Sequence, residues 1–281
     1  MSQKIFMSFP NGMKKALTLS YDDGVDQDIR LVEILNRYGL KCTFNINSGS
    51  YAPEGNVYPE DRINSRRMSL SQAQALYKNS GHEVAVHTLT HPRLERLPMP
   101  NITYEVLQDR LNLEKQYGCI VRGMAYPFGT YNDQVVDCLR ACGIAYARTV
   151  VSTEKFDIPT DWLRMPATCH HKNPRLMTLA QQFLDSKNSE TPKLFYLWGH
   201  SYEFDQQNNW NVIEDFAALM GGREDIWYAT NIEIYDYVQD YQRLIWSADG
   251  RMVHNPTSRA LFFDYGDVSV ELASGETRCF D

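Results

Sequence analysis

The feature that most constrains this chain is a cadence. Apolar, strand-like runs alternate with helical stretches, and a glycine stands at the seam from helix to strand at Gly39, Gly81, Gly118 and Gly143. A glycine at such a seam takes the left-handed conformation that ends a helix at little cost. Residues 15–21 read as a buried strand. Asp26 then opens a helical stretch with Ile29, Val32 and Leu35 on one face, and residues 42–46 form the next strand. Ser69 and Gln72 make a capping box for a helix that stops at Gly81, and 82–86 is again a strand. A helix over 102–117 precedes a strand at 121–126, and a helix over 132–142 precedes one at 144–148. After an apparent strand at 163–168, Asn173-Pro174 opens a helix running to about Lys187, and residues 193–198 form a strand. Helical stretches at 211–220 and 232–243 flank the apolar run 226–229. Alternating βα units at this spacing predict a parallel sheet, and seven or so favour closure into a barrel.

The last forty residues change character. Short apolar or alternating runs at 244–246, 252–254, 261–263 and 268–272 are separated by Asp249-Gly250, Pro256, Asp264-Tyr265-Gly266 and Ser274-Gly275. This predicts a small antiparallel β appendage over 244–281, following a barrel over 1–243. A formal net charge of −7 without any Lys/Arg-rich stripe argues against a nucleic-acid or anionic-membrane partner, because both need a basic surface. No apolar run approaches the ~20 residues of a membrane span. Residues 1–6 lack the apolar core and cleavage site of a signal peptide, so the expected location is the cytoplasm. The six cysteines contain no C-x-x-C pair and read as reduced thiols, not as a disulfide frame or a zinc ribbon.

Polar residues gather where the expected strands end: Asp22-Asp23-Gly24, His87-Thr88-Leu89-Thr90-His91, Tyr126-Pro127-Phe128-Gly129 and Gly199-His200. In parallel barrels that rim builds the active site from several strands at once. Histidines four apart can face one point, and an aspartate added to them makes an open two-His, one-carboxylate metal site. Taken singly, His87 and His91 also suit two incidental polar residues, and Asp-Asp-Gly also suits a plain turn. Adjacent carboxylates after so apolar a run repel one another, and a divalent cation would offset that repulsion and keep Asp22 ionised. His170-His171 can reach the same rim, or form a surface pair. Trp198 suits either core packing or stacking on a sugar, and Tyr131, Tyr202 and Trp210 either meet sugar rings or pack loops.

At these residues the chain resembles a known family. Ser20-Tyr21-Asp22-Asp23-Gly24 is similar to the T-F-D-D-G signature of the polysaccharide deacetylases, carbohydrate esterase family 4. His87-Thr88-Leu89-Thr90-His91 resembles that family's H-[ST]-x-x-H, and Leu197-Trp198-Gly199-His200 its late L-x-H. The order and spacing also fit, over roughly residues 14–240. The resemblance implies an α/β fold, a distorted parallel (β/α) barrel of seven or eight units. It implies a metal held by Asp23, His87 and His91, Asp22 as general base and His200 as general acid. Phe128 would lend its backbone N–H to the oxyanion, and Asp161 would orient the acid histidine. Tyr126, Tyr131, His170 and Trp198 are the candidate substrate contacts. One departure stands out. The family's third motif, R-x-P-[FY], reads Ala125-Tyr126-Pro127-Phe128 here, so its arginine is missing, and Arg148 and Arg164 are the candidates to replace it.

The expected activity is metal-dependent removal of acetyl groups from a carbohydrate, with N-deacetylation of an amino sugar or oligosaccharide favoured. An O-acetyl esterase using the same site and an inactive carbohydrate-binding protein are the alternatives. Zinc is the expected ion, and cobalt, nickel or manganese suit the same ligands.

Overall fold

The first two strands of the chain have different fates. In this computed structural model, which describes residues 4–59, 61–64, 66–186 and 191–280, β1 (Ile5–Ser8) lies outside the main sheet. β2 (Lys15–Asp22) is buried at every position and runs through the middle of that sheet. Leu17, Leu19 and Tyr21 alternate with Thr18 and Ser20, and the hydroxyls tolerate burial because each is hydrogen-bonded, Thr18 donating to Asn231 Oδ1 and Ser20 accepting from Asn45 Nδ2, both at 2.8 Å.

The expected cadence follows. α1 (Asp28–Arg37) leads to β3 (Cys42–Ile46), and α2 (Leu70–Tyr77) leads to β4 (Glu83–Val86). α3 (Met99–Tyr117) leads to β5 (Gly123–Ala125), and α4 (Asp133–Ala141) to β6 (Tyr146–Ser152). β7 (Met165–Ala167), β8 (Cys169–His170), α5 (Leu176–Asp185) and β9 (Lys193–Gly199) come next. α6 (Tyr202–Gln207), α7 (Asn211–Met220), β10 (Ile226–Tyr228) and α8 (Asn231–Gln242) complete this part. Ser69 and Gln72 form the expected capping box on α2. α3 ends at Gly118 with φ 71°, the left-handed stop expected there. The helix end expected at about Lys187 lies outside the described residues.

Every pairing in the main sheet is parallel, in the order β7-β6-β5-β4-β3-β2-β9-β8, with β10 beside the first half of β2. One short stretch closes the barrel: β7 pairs with β6, the chain passes Thr168, and β8 pairs with β9. Because all strands run the same way, their C-terminal ends and the loops that follow them share one rim.

The C-terminal strands form two small antiparallel sheets. β11 (Ile245–Trp246), β12 (Met252–His254) and β15 (Thr277–Cys279) make one, in the order β11-β12-β15. β13 (Leu261–Tyr265) and β14 (Val268–Leu272) make the other, and its third strand is β1, with Ile5 opposite Tyr265 and Ser8 opposite Phe262. The appendage expected from 244 onward therefore recruits a strand from the start of the chain. Leu261, Phe263, Val270 and Leu272 share one buried cluster with Ala16, Leu194 and Tyr196 of the barrel, so the two parts have a common core. All six cysteines are free thiols, Cys119 and Cys279 exposed and the other four buried.

Candidate active site and metal centre

Asp22 is the last residue of β2, and Asp23 extends its ladder by one bond, donating its N–H to Asn45 O at 2.9 Å. His87 follows β4, His91 lies in the loop after it, Phe128 follows β5, and His200 follows β9. These residues, with Tyr126, Trp198 and Tyr202, line one cavity of about 320 Å³. The rim is built on strained backbone. Asp23 (φ 86°), Thr88 (66°), His91 (62°) and Phe128 (58°) all occupy the left-handed region without being glycine. Such residues cost about 1–3 kcal/mol each and persist where the surroundings over-determine them. Here the surroundings are visible. Thr88 Oγ1 accepts from His91 N at 3.1 Å, and the Asn47 amide donates to the carbonyls of His87 and Thr88. Asp109 of α3 accepts from Ser48 N (2.7 Å) and His87 N (3.0 Å), tying the ends of β3 and β4 together.

Asp23 Oδ1 lies 4.0 Å from His87 Nε2 and 3.9 Å from His91 Nε2. These donor atoms lie within 4.8 Å of one another. The donor chemistry fits a divalent cation. His87 Nδ1 sits 2.8 Å from the Ala125 carbonyl, which only accepts, so Nδ1 carries the proton and Nε2 presents its lone pair. Burial brings the His87 imidazole down to about 4 and also lowers His91, so both imidazoles are neutral at physiological pH, the form a cation would need.

Asp22 has different surroundings. Asn45 Nδ2 donates to its Oδ1 at 2.8 Å, and Arg148 Nη2 donates to its Oδ2. Burial would raise this carboxyl, but the Arg148 guanidinium, with His87 and His200, draws it to about 2. It is therefore ionised and aimed. His200 Nε2 lies 3.8 Å from the same Oδ2.

A second cluster adjoins the first. Glu203 Oε2 accepts from His170 Nε2 (3.2 Å) and His171 Nε2 (3.1 Å), lies 3.6 Å from His200 Nδ1, and its Oε1 takes Lys172 Nζ at 2.6 Å. His170, His200 and Glu203 could by distance alone hold an ion. The tautomer rules this out. Lys172 N–H donates to His170 Nδ1 at 3.1 Å, so the His170 proton sits on Nε2, where an ion would have to bind. The cluster is a hydrogen-bond hub. Burial opposes charge on His200, but the carboxylates of Glu203, Asp22 and Asp23 raise its pKa above the ordinary histidine value.

The comparisons with known proteins bear on what such a rim belongs to. Residues 10–147 match the family model described as polysaccharide deacetylase. That match spans just under half of the chain, and over it the chain carries a polysaccharide deacetylase domain. A chitooligosaccharide deacetylase from Sinorhizobium fredii is 28% identical over 151 residues, covering 52% of this chain. The chain spans 59% of the length of that curated relative. A putative polysaccharide deacetylase from Mycobacterium smegmatis, solved as a crystal structure, shares the fold with a TM-score of 0.60 at 14% identity, covering 86% of this chain and 95% of that one.

Against the family pattern, two residues have moved. Ala125 stands where the family has its third-motif arginine, and Arg148 supplies the guanidinium from the next strand. Arg164 is engaged elsewhere, with Asp161 (2.8 Å) and Asp133 (2.7 Å). Asp161, expected beside the acid histidine, bonds instead to Leu163 N (3.2 Å) and Arg164, and lines a separate cleft of about 790 Å³. The carboxylate that adjoins His200 is that of Glu203. Among the candidate substrate contacts, Tyr126 and Trp198 line the same cavity as Asp22, Asp23 and His200. Tyr131 stacks behind Tyr126 at 4.8 Å, and His170 stands edge-on to Trp198 at 4.4 Å. Sequence reasoning missed Glu203, Asn45, Asn47, Asp109 and Arg67. Only Glu203, three residues after His200, had a local signal. Among the described residues no helix is long and apolar enough to cross a membrane.

Proposed function

We propose that this protein is a metal-dependent hydrolase that removes acetyl groups from a carbohydrate, with an N-acetylated amino sugar or oligosaccharide as the favoured substrate. One observation carries the reading: a His/His/Asp donor set, a separate ionised carboxylate and a separate histidine converge on one cavity. Asp23, His87 and His91 are the residues that would hold the ion, zinc by first choice, with cobalt, nickel or manganese suited to the same donors. A divalent cation in that seat supplies Lewis acidity, which polarises an acyl carbonyl and makes water a stronger nucleophile near neutral pH.

The chain's own groups divide the remaining work. Asp22, ionised and held by Arg148 and Asn45, accepts the proton of the attacking water. The Phe128 backbone, bent to φ 58° at the cavity wall, offers an N–H to the carbonyl oxygen as it gains charge. His200, whose pKa is raised by the carboxylates of Glu203 and Asp22 on either side, gives its proton to the leaving nitrogen as the acyl C–N bond breaks, releasing acetate and a free amine. A sugar oxygen leaves more readily than an amine, so an acid this strongly supported suits an amide substrate. The likeness to a chitooligosaccharide deacetylase supports the same substrate class.

The test is acetate release from a panel of N- and O-acetylated mono- and oligosaccharides, with metal content measured before and after chelation. Chelator-sensitive release from N-acetyl substrates is expected. Release from O-acetyl substrates alone would make the protein an esterase. Bound metal with no release from any substrate would make it a binding protein.

A further inference from the structure

Arg67 stands on the proposed metal ligand itself. Its Nη2 donates to Asp23 Oδ1 at 2.8 Å, and this is the same oxygen that faces His87 Nε2 and His91 Nε2. The guanidinium is pinned on its other arm as well, where Nη1 donates to Asn47 Oδ1 at 3.0 Å. Asn47 in turn holds the His87 and Thr88 carbonyls, so one arginine and one asparagine connect the two strand ends that carry ligands. The Arg67 main chain is equally fixed. It bridges Val25, and its carbonyl accepts from Tyr58 OH at 3.2 Å. With only 18% of its side chain exposed, solvent screens this charge poorly.

We infer that Arg67 competes with the cation for Asp23 and holds the metal affinity of this centre down. The inference rests on the assignment of Asp23, His87 and His91 as ligands. Two neutral imidazoles and one carboxylate would offer a dication a seat of net charge −1. A fixed guanidinium on the carboxylate reduces that to zero and places a positive charge within a few ångströms of the ion. It also draws electron density from the shared oxygen, which weakens it as a donor. The arginine thus orients Asp23 while opposing what Asp23 would bind, and the outcome is an exchangeable centre that follows the free metal concentration.

Titration of the 281-residue chain with Co2+ and Zn2+, by calorimetry and by competition with a chromophoric chelator, tests this without reference to turnover. Arg67→Met, which removes the charge, should bind Co2+ about tenfold or more tighter than the parent chain. Arg67→Lys, which keeps the charge but not the fork, should bind as the parent does. Arg67→Gln keeps a donor toward Asp23 and should also tighten binding, which covers failure of the Met variant to fold. Equal or weaker binding in the uncharged variants would overturn the inference and leave Arg67 as an orienting group only. Adding His87→Ala must abolish the gain. If Co2+ binding by the parent also survives His87→Ala, the ligand set itself is wrong, whereas its loss there with no gain in the Arg67 variants defeats the inference alone.

Discussion

Arg148 lies directly opposite Ala125 in the parallel register of β5 and β6, and its guanidinium donates to the Asp22 carboxylate. Directly opposed residues on neighbouring strands point to the same face of a sheet, so an arginine moved one strand sideways still reaches the same space. Arg148→Ala should cost about 3–5 kcal/mol of stability, because it leaves a buried carboxylate without its partner. It should also reduce turnover sharply. The double variant Arg148→Ala/Ala125→Arg puts the guanidinium back in the family's position and should recover part of both losses. Urea denaturation and acetate release measure the two, and no recovery of either would mean that the two positions are not equivalent.

Asp22 and Asp23 are identical neighbours separated by what each touches. Asp22→Asn should keep metal and lose turnover, because the base is gone while the ligands remain. Asp23→Asn should lose metal affinity as well. Metal analysis alongside kinetics checks this, and the reverse pattern would exchange the roles.

His87→Ala or His91→Ala should strip the ion and bring turnover to background, with the far-ultraviolet circular dichroism unchanged. Both side chains end at the cavity, and the backbone of each is held by other groups. A variant with full metal content and activity would remove that histidine from the ligand set.

His200→Ala should hurt poor leaving groups most. Amide hydrolysis should fall about 10²-fold or more, because the amine must be protonated to depart. An activated aryl acetate expels a stable phenolate and should lose much less. Equal losses on both, with metal retained, would make His200 a positioning group.

Glu83, at the start of β4, gives a pH prediction free of the catalytic chemistry. Burial is the dominant influence and brings this carboxyl up from its ordinary 4.5 to about 7, against hydrogen bonds from Ile232 N, Tyr146 OH and Thr43 Oγ1. The unfolded chain therefore gives up this proton at lower pH than the native state does. Stability from this group is fully present below pH 4.5, falls as pH rises toward 7, and is level above that. The loss is on the order of 3 kcal/mol. Glu83→Gln should remove that slope, so the stability difference between parent and variant should change over this window and nowhere else. A constant difference from pH 4 to 8 would refute the assignment.

Much of this was readable from local patterns. The barrel cadence rests on helix stops and apolar runs within thirty residues, and the Asp23, His87 and His91 cluster on short motifs at strand ends. Arg148 was one of two candidates, because choosing it needs the β5–β6 register, which no local pattern encodes. Arg67 sits in a polar stretch with no periodicity, and only the folded loop brings it to Asp23. Asp161 followed a short motif in a weak context, and the fold gave its neighbours to Arg164. The pairing of β1 with β13 was invisible for the same reason, since its partners lie at opposite ends of the sequence.

That last pairing has a consequence for how the protein is made. β1 leaves the ribosome more than 250 residues ahead of β13, so its partner edge does not exist until residues 261–265 have followed. Throughout synthesis of the barrel, Ile5–Ser8 is an unpaired strand edge, and the apolar side chains that later meet the C-terminal sheets have no cover. The slowest contacts to form are the most distant in sequence, so the pairing of β1 with β13 should be a late folding step, and nascent chains stalled before residue 261 should be the ones that aggregate.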